Sequence, residues 1–343
     1  MALLFIDGFE QYASQATVSR GGWAIGSTLA GVPVTGRQGA GSRAVRLAFS
    51  STGYLRRSLL GNYSSLVFGF AYYAQATVSS HDALLTYSSD GNEQIILRVV
   101  AGGELAVYRG STLLATSSGA NLTADTWHYI EFKFTINNST GSYAVRLNGN
   151  NVLSDSNVDT QNDASLSTVA FFDLLGHSTS DPWFDDLYVC DDSGAANNDF
   201  LGDCVVETLF PDADGATNNF TPDSGTNNYS RVDDGATPDD DTSYVSSSTA
   251  ADKDLYGFAA LQTANITDIY GVQVAVLGRK EDAGNRVVRT VARSNVTETD
   301  GPDQYLATDY QYYFGMYETD PNGGGAWSES SVNAAQFGMK IQS

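Results

Sequence analysis

The sequence predicts an all-β protein with two β-sandwich domains in tandem, each jelly-roll-like. Its 343 residues include 34 Gly, 19 Tyr and 16 Phe, a composition typical of short strands joined by turns. Segments that alternate apolar and polar residues recur roughly every ten residues, with polar turns between them. Long helix-forming stretches are absent, and the chain is long enough for two hydrophobic cores. These observations together favour antiparallel sandwiches.

Residues 127–136 give the clearest strand pattern. One predicted face holds Trp127, Tyr129, Glu131, Lys133 and Thr135, and the other holds His128, Ile130, Phe132, Phe134 and Ile136. The second of these faces is mainly apolar, so we expect it to lie in a core. Asn148-Gly149 then predicts a tight hairpin, because both residue types tolerate positive φ.

Two distant segments are predicted to be the first and last strands of one sandwich. The first is Phe5-Ile6-Asp7-Gly8-Phe9, and the second runs from Trp183 to Val189. These two predicted strands delimit a first domain over residues 1–192. A junction of small and polar residues is predicted at 193–198, and a second domain over residues 199–343. Residues 205–210 are predicted to form a strand, and residues 328–335 a short helix.

The first part resembles a known family in the order of its segments. The Asp-Gly-Phe strand is followed by Thr-Trp-His-Tyr-Ile-Glu-Phe, by the hairpin Gly-Ser-Tyr-Ala-Val-Arg-Leu-Asn-Gly, and by Phe-Asp-Asp-Leu-Tyr-Val. This order resembles the concanavalin A-like, laminin-G-type jelly roll. The resemblance implies that the terminal strands are neighbours in one sheet. It also implies a concave sheet that often binds sugars, sometimes with calcium at one rim.

The second part resembles a module found in structural proteins of tailed bacteriophages. The segments concerned are FLGDCVVETL at 200–209, YVSSS at 244–248, DKDLY at 252–256, IYGVQ at 269–273 and RKEDAG at 279–284. In those proteins the module follows a laminin-G-like half, as it does here. The resemblance implies a component of the virion.

Charge and hydropathy argue against two kinds of partner. The formal net charge is −22, which disfavours binding to nucleic acid phosphates. No window approaches about 18 consecutive apolar residues, so we expect no membrane span. The apolar residues before Asp7 are too few for an export signal, so we expect the chain to fold in a bacterial cytoplasm.

No combination of residues has catalytic spacing, so the sequence predicts no catalytic residues, no cofactor and no enzyme activity. Glu131 is alone on its strand, whereas carbohydrate cleavage needs two carboxylates across a cleft. Asp185 and Asp186 are adjacent, so we expect them to point to opposite faces. The histidines lie in three separate segments.

Two groups of residues are candidates for a metal site and a disulfide. Acidic side chains in polar stretches are candidate calcium ligands, with solvated loops as the alternative: Asp212, Asp214, Asp239 and Asp241. Cys190 and Cys204 bracket the junction, and a disulfide there would stabilise the fold by roughly 2–3 kcal/mol. The alternative is that both are buried thiols.

Several aromatic residues are candidates for a sugar platform, with core packing as the alternative: Trp23, Tyr54, Tyr72, Tyr73 and Trp183. We expect a non-enzymatic virion structural protein, in a tail or neck appendage or as a capsid decoration. Its expected partners are other virion proteins, further copies of itself on the particle, and host glycans. The alternatives are a carbohydrate-active enzyme and a secreted carbohydrate-binding adhesin.

Overall fold

The computed structural model describes residues 2–26, 34–39, 41–47, 53–75, 78–119 and 121–343. The chain divides into two compact units, Met1–Val206 and Glu207–Ser343. Both consist mainly of antiparallel strands, so the all-β prediction is confirmed. Residues 193–206, expected to form the junction and open the second domain, belong to the first unit. No helix in the described ranges is long and apolar enough to cross a membrane.

The first unit is a sandwich of two sheets. Its elements are β1 (Leu3–Asp7), α1 (Gln15–Arg20), β2 (Trp23–Ile25), β3 (Val34–Thr35), β4 (Arg43–Arg46), β5 (Tyr54–Tyr63), β6 (Ser65–Ala74), β7 (His81–Tyr87), β8 (Glu93–Val99), β9 (Leu105–Arg109), β10 (Thr112–Thr116), β11 (Trp127–Thr135), β12 (Gly141–Leu147), β13 (Asn150–Val158), β14 (Val169–Leu175) and β15 (Pro182–Asp191).

The two sheets have distinct strand orders. The first sheet has the order β13-β12-β11-β6-β15-β4-β3, and β1 pairs with β15 beside this path. The second sheet has the order β10-β9-β8-β7-β14-β5-β2. The pairing of β1 with β15 is antiparallel, as expected for the first and last strands of one sandwich.

Aromatic side chains fill the space between the two sheets. On β11, Phe132 and Phe134 are fully buried, and their ring centres lie 5.0 Å apart. Phe68 of the first sheet meets Phe172 of the second sheet edge to face, with ring centres 5.0 Å apart. Edge-to-face rings add about 0.5–1.5 kcal/mol to the stabilisation from burial. The face of β11 predicted to be apolar therefore lies in the core.

A buried carboxylate fixes the turn that follows β1. Asp7 accepts hydrogen bonds from Trp23 Nε1 at 2.8 Å, from the Phe9 backbone N at 2.9 Å and from the Tyr12 hydroxyl at 3.1 Å. Burial nevertheless raises the pKa of Asp7, because the charged form loses its hydration. This network ties the start of the chain to β2 of the opposite sheet.

The second unit is a smaller β-structure with one short helix. Its elements are β16 (Pro211–Asn218), β17 (Thr221–Pro222), 3₁₀ turns at Tyr229–Arg231 and Asp240–Thr242, β18 (Val245–Ser246), β19 (Lys253–Phe258), β20 (Val272–Gly278), β21 (Val287–Ser294), β22 (Thr297–Asp300), β23 (Gln304–Tyr305), β24 (Gln311–Tyr317), α2 (Glu329–Ala334) and β25 (Gln336–Ile341).

A sheet in the order β16-β19-β25-β21-β22, with β23 on β21, packs against the β20–β24 pair. Trp327 and Phe337 both belong to the shared core, with ring centres 6.0 Å apart. Helix α2 confirms the helix predicted at 328–335. Residues 205–210, predicted to form a strand, form none.

Replacing Phe132 tests the position of the core. We expect Phe132→Ala to lower the free energy of unfolding by roughly 3–5 kcal/mol, because the cavity lies between two packed sheets. The matched control is Leu60→Ala, since the Leu60 side chain is 96% exposed. Its effect should stay within about 0.5 kcal/mol. Urea denaturation measures the free energy of unfolding of both variants. Equal losses in Phe132→Ala and Leu60→Ala would contradict the described core.

Candidate functional site

A row of side chains crosses the outer face of the second sheet. Arg56 of β5 lies opposite Asp173 of β14, which lies opposite Leu85 of β7. The row continues through Ile96 of β8 to Tyr108 of β9. Strands in a sheet lie about 4.8 Å apart, so this row spans about 19 Å. The alternating neighbours of these residues point inward to the core, so the row faces outward.

Arg56 and Asp173 form a two-point ion pair at one end of this row. Arg56 Nε donates to Asp173 Oδ1 at 2.7 Å, and Arg56 Nη2 donates to Oδ2 at 2.9 Å. The hydrogen bonds to Asp173 raise the pKa of Arg56, which therefore stays protonated. The Asp173 side chain is 1% exposed, whereas that of Arg56 is 33% exposed. Within the described ranges, Arg56 Nη1 has no hydrogen-bond acceptor, so its donors are available to a ligand.

Three aromatic rings surround the Arg56 guanidinium. The ring centres of Tyr54, Tyr87 and Phe171 each lie 4.7 Å from its central carbon. Tyr87 and Phe171 also stack on each other, with ring centres 4.8 Å apart. A cation over an aromatic face gains about 0.5–2 kcal/mol, so these rings hold the guanidinium in place together with Asp173. We call Tyr54, Arg56, Tyr87, Phe171 and Asp173 the Arg56 site.

The Tyr87 hydroxyl belongs to the same network. It donates to Asp173 Oδ2 at 3.1 Å. Burial and the nearby charge of Asp173 raise the pKa of Tyr87, so its hydroxyl keeps its proton at neutral pH. The Arg56 site therefore presents a cation and the Tyr87 hydroxyl, both held in position by Asp173 before any ligand arrives.

A second ion pair lies further along the same face. Arg98 Nε donates to Asp82 Oδ1 at 2.5 Å, and the Arg98 guanidinium lies 4.2 Å from the centre of the Tyr108 ring. Between the two ion pairs lie Leu85 and Ile96, which are only 6% and 2% exposed. The face thus combines an apolar floor with aromatic rings and two arginines, each paired with an aspartate.

The outer face of the first sheet is partly covered by the protein's own chain. Residues 199–206 lie across it, held by two buried side chains. Glu131 Oε1 accepts from Gly202 N at 2.8 Å and from the Tyr188 hydroxyl at 2.6 Å. The Tyr188 oxygen in turn accepts from Leu201 N at 3.1 Å. Glu131, considered above as a lone carboxylate, therefore has a structural position.

Asp185 and Asp186 do not point to opposite faces as expected. Strand β15 has an irregularity between Asp185 and Tyr188, and Asp186 has a φ of 50°. This bulge breaks the alternation of side chains. Both carboxylates consequently bind Arg37: the backbone N donates to Asp185 Oδ2 and Nε donates to Asp186 Oδ2, each at 2.8 Å.

Glu10 lies next to this pair of aspartates. Burial and repulsion from Asp185 raise the pKa of Glu10 to about 9, and burial and repulsion from Asp186 raise that of Asp185 to about 8. Burial also raises the pKa of Asp186, although Arg37 opposes this effect. The aspartates are buried and Asp186 also accepts from Val206 N at 2.7 Å, so a polymer has no access to them.

The outer face of the first sheet has an aromatic cluster of its own beyond the part that residues 199–206 cover. Tyr73 lies between Trp127 and Trp183, with ring centres 5.4 Å and 4.9 Å away. All three side chains are half-buried. Arg46 lies opposite Trp183 and forms an ion pair with Asp181. We call Tyr73, Trp127 and Trp183 the Trp183 cluster.

The candidates for a sugar platform separate into two groups. Trp23 and Tyr72 are fully buried in the core, whereas Tyr54, Tyr73 and Trp183 lie on outer faces. The other members of the Arg56 site were not singled out in the sequence. The available signal was a charged residue within an apolar strand, as in Phe-Phe-Asp-Leu-Leu at 171–175.

The calcium candidates have separate partners in the second unit. Asp214 accepts from Tyr229 N at 2.7 Å. Asp239 accepts from the backbone N and hydroxyl of Ser243 at 3.1 and 3.0 Å.

Asp241 pairs with Arg279 at 2.9 Å and accepts from the Tyr310 hydroxyl at 2.8 Å. Asp212 is exposed. In the part of the chain that the structure describes, no three His, Cys, Asp or Glu residues are grouped as metal ligands.

The two cysteines are thiols in the structure and form no disulfide. Cys190 is buried in β15, and Cys204 lies half-buried among residues 199–206. Burial and the nearby charge of Glu131 raise the pKa of the Cys204 thiol to about 12, so it is unreactive at neutral pH.

No protein-family model and no curated protein matches the sequence. Solved structures do match, at low identity. An endo-β-1,4-glucuronan lyase from the fungus Trichoderma reesei is 14% identical, with a TM-score of 0.33 over 49% of this chain and 87% of that one. Domain 4 of an extracellular arabinanase from Geobacillus stearothermophilus, solved with arabinotriose, is 16% identical, with a TM-score of 0.38 over 55% of this chain and 92% of that domain.

A carbohydrate esterase of the Shiga toxin-encoding bacteriophage phi24B is 14% identical, with a TM-score of 0.37 over 54% of this chain and 98% of the esterase. These neighbours are carbohydrate-acting enzymes or carbohydrate-binding domains. The prediction that the protein is not an enzyme is therefore corrected, because structures matching this chain include a lyase and an esterase. At such low identity the likeness concerns the fold alone.

The buried carboxylates make a testable contribution to stability. The pKa values of Glu10 and Asp185 are raised in the folded state, so folding favours their protonated forms. Their contribution is complete below the unfolded pKa values of about 4 and is lost as pH rises through about 8 to 9. We expect Glu10→Gln and Asp185→Asn to reduce the loss of stability between pH 5 and pH 9 by at least about 1 kcal/mol.

Urea denaturation at several pH values measures this effect. Asp192→Asn is the control, because Asp192 is exposed. An unchanged pH dependence in both buried-site variants would show that these carboxylates are ionised in the folded protein at neutral pH.

Proposed function

We propose that the first unit is a carbohydrate-binding sandwich and that a glycan lies on the Arg56 site. One observation supports this proposal above all. The Arg56 guanidinium is fixed by Asp173 and by three rings, while its Nη1 donors have no acceptor in the described ranges. A preorganised donor among aromatic rings binds a ligand without losing much side-chain entropy.

The chemistry of the Arg56 site fits a sugar. A saccharide ring presents apolar C–H groups on its faces and hydroxyl oxygens at its edge. Tyr54, Tyr87 and Phe171 provide aromatic surface for the C–H groups, and Arg56 Nη1 provides donors for the hydroxyl oxygens. An apolar surface with a few convergent polar groups is the usual composition of ligand sites.

The position of residues 199–206 supports the second sheet over the first. On the first sheet, Gly202 and Leu201 occupy the hydrogen-bonding groups of Glu131 and Tyr188. A ligand there would have to displace the protein's own chain. A ligand on the row from Arg56 to Tyr108 would displace no segment of the described chain.

A second candidate function is cleavage of the bound glycan. Arg56 and Tyr87 favour it, because the guanidinium carbon of Arg56 lies 4.7 Å from the centre of the Tyr87 phenol ring on the binding face. A cation can stabilise negative charge that develops on a substrate, and a phenol can donate a proton. Measurement of products separates this function from binding alone.

The place where the protein works, and the partners it meets there, form a separate proposal. We propose that it works on the particle of a tailed bacteriophage, in contact with other virion proteins and with further copies of itself. The support is the resemblance of several second-unit segments to phage structural modules. Exposed sheet edges of small sandwiches also favour assembly, because unpaired strands can add to a partner.

Replacing single rings of the Arg56 site tests the binding proposal. We expect Tyr54→Ala and Phe171→Ala to weaken binding at least about tenfold, because each removes one wall around Arg56. The matched control is Tyr73→Ala in the Trp183 cluster, which should leave affinity unchanged. A polysaccharide array followed by calorimetry on the best ligand measures this, with thermal melts to confirm folding.

Loss of binding only in Tyr73→Ala would move the site to the first sheet. Incubation of the wild-type protein with the same glycans, with detection of new chain ends, reports cleavage. Products that vanish in Tyr87→Phe would favour the enzyme, whereas intact glycans would favour binding alone.

The virion setting has its own measurement. We expect peptides of this protein in mass spectra of gradient-purified phage particles, at a ratio to the major capsid protein that stays constant across fractions. Its presence only in the lysate supernatant would contradict the virion setting without affecting the glycan proposal.

A further inference from the structure

We infer that the glycan class recognised by the Arg56 site is uncharged: a neutral saccharide rather than a polymer of uronic acids. This inference rests on the proposed function and specifies its ligand. It follows from how the charges of the face are paired and from which hydrogen-bonding groups remain available.

The charges on the face leave no net attraction for an anion. On the four adjacent strands β5, β14, β7 and β8, the outward-facing cations are Arg56 and Arg98, and each pairs with an aspartate. Glu93 of β8 is exposed and its charge acts on Tyr87, which adds one anion without an ion-pair partner among the described residues. These strands thus present two cations and three anions. A uronate would meet compensated arginines beside an excess negative charge.

Within the ranges that the structure describes, the carboxylate of Asp173 has all its hydrogen-bond partners within the site, which supports the same conclusion. Both Asp173 oxygens accept hydrogen bonds within the site, one from Arg56 Nε and the other from Arg56 Nη2 and Tyr87. Asp173 is buried, so its role is to neutralise and position Arg56. A carboxylate ligand at Nη1 would bring a second anion close to Asp173, and the repulsion between the two carboxylates would offset part of its attraction to Arg56.

The groups that remain suit hydroxyls. Arg56 Nη1 donates, and Asp82 Oδ2 has no hydrogen bond in the described part of the chain, so it can accept from a sugar hydroxyl. Hydroxyl groups donate and accept, whereas a carboxylate only accepts. Tyr54 beside Arg56 and Tyr108 beside Arg98 are half-buried rings at the two ends of the row, and each would contact the C–H groups of a separate sugar unit.

The test compares neutral and acidic polymers with the full-length protein. The probes are arabinan, galactan and β-glucan on one side, and alginate and polyglucuronate on the other. We expect retention of at least one neutral polymer in affinity electrophoresis, with less than about a twofold change in affinity between 10 and 150 mM salt, because screening acts on charge pairs.

Charge-unmasking variants sharpen the comparison. Removing an aspartate exposes its arginine, so we expect Asp82→Asn and Asp173→Asn to gain at least about fivefold affinity for an acidic polymer, with strong salt dependence. The matched control is Asp181→Asn, which unmasks Arg46 on the first sheet and should give a clearly smaller gain, a measure of the effect of one removed charge away from the Arg56 site. Because Asp173 is buried, Asp82→Asn keeps the test valid if Asp173→Asn fails to fold.

The outcomes separate the two proposals. Wild-type binding to alginate or polyglucuronate that is weakened by salt and by Arg56→Gln, without binding to neutral polymers, would overturn the inference and leave the proposed function intact. Binding to neither class at the Arg56 site would overturn both.

Discussion

The structure depends on the burial of the first sheet on both of its faces. Strand β6 lies between β11 and β15, and nine of its ten residues are buried. Phenylalanines of the core cover one face, and residues 199–206 cover part of the other through Glu131 and Tyr188. This double burial stabilises the sheet but removes much of its outer surface from use. The second sheet, covered by the core on one face, therefore has the surface with available charged and aromatic groups.

The two outer faces use their charged groups in different ways. On the first sheet, Asp185 and Asp186 are buried around Arg37, and desolvation raises their pKa values. Such groups hold chain segments together and are closed to a polymer. On the second sheet, Asp173 is buried but Arg56 remains partly exposed. An ion pair with one buried and one exposed partner keeps a donor in a fixed position without an uncompensated charge in the interior.

The all-β class and the two faces of β11 follow from local alternation, which the sequence displays directly. The pairing of the terminal strands follows instead from the resemblance of the segment order to a jelly-roll family. The Arg56 site does not, because Arg56 and Asp173 are 117 positions apart and meet only through the register of β5 and β14. The opposite-face expectation for Asp185 and Asp186 is wrong because one residue with positive φ breaks the alternation. The position of residues 199–206 depends on long-range hydrogen bonds that no local pattern indicates.

Hydroxyl-radical footprinting of side chains, with and without a bound glycan, tests the central claim most directly. It measures the solvent access of individual aromatic rings, so one experiment compares the outer faces of both sheets. The proposed binding surface predicts that the glycan protects Tyr54, Tyr87 and Phe171 while Tyr73, Trp127 and Trp183 react as before. Protection confined to the Trp183 cluster would contradict the account.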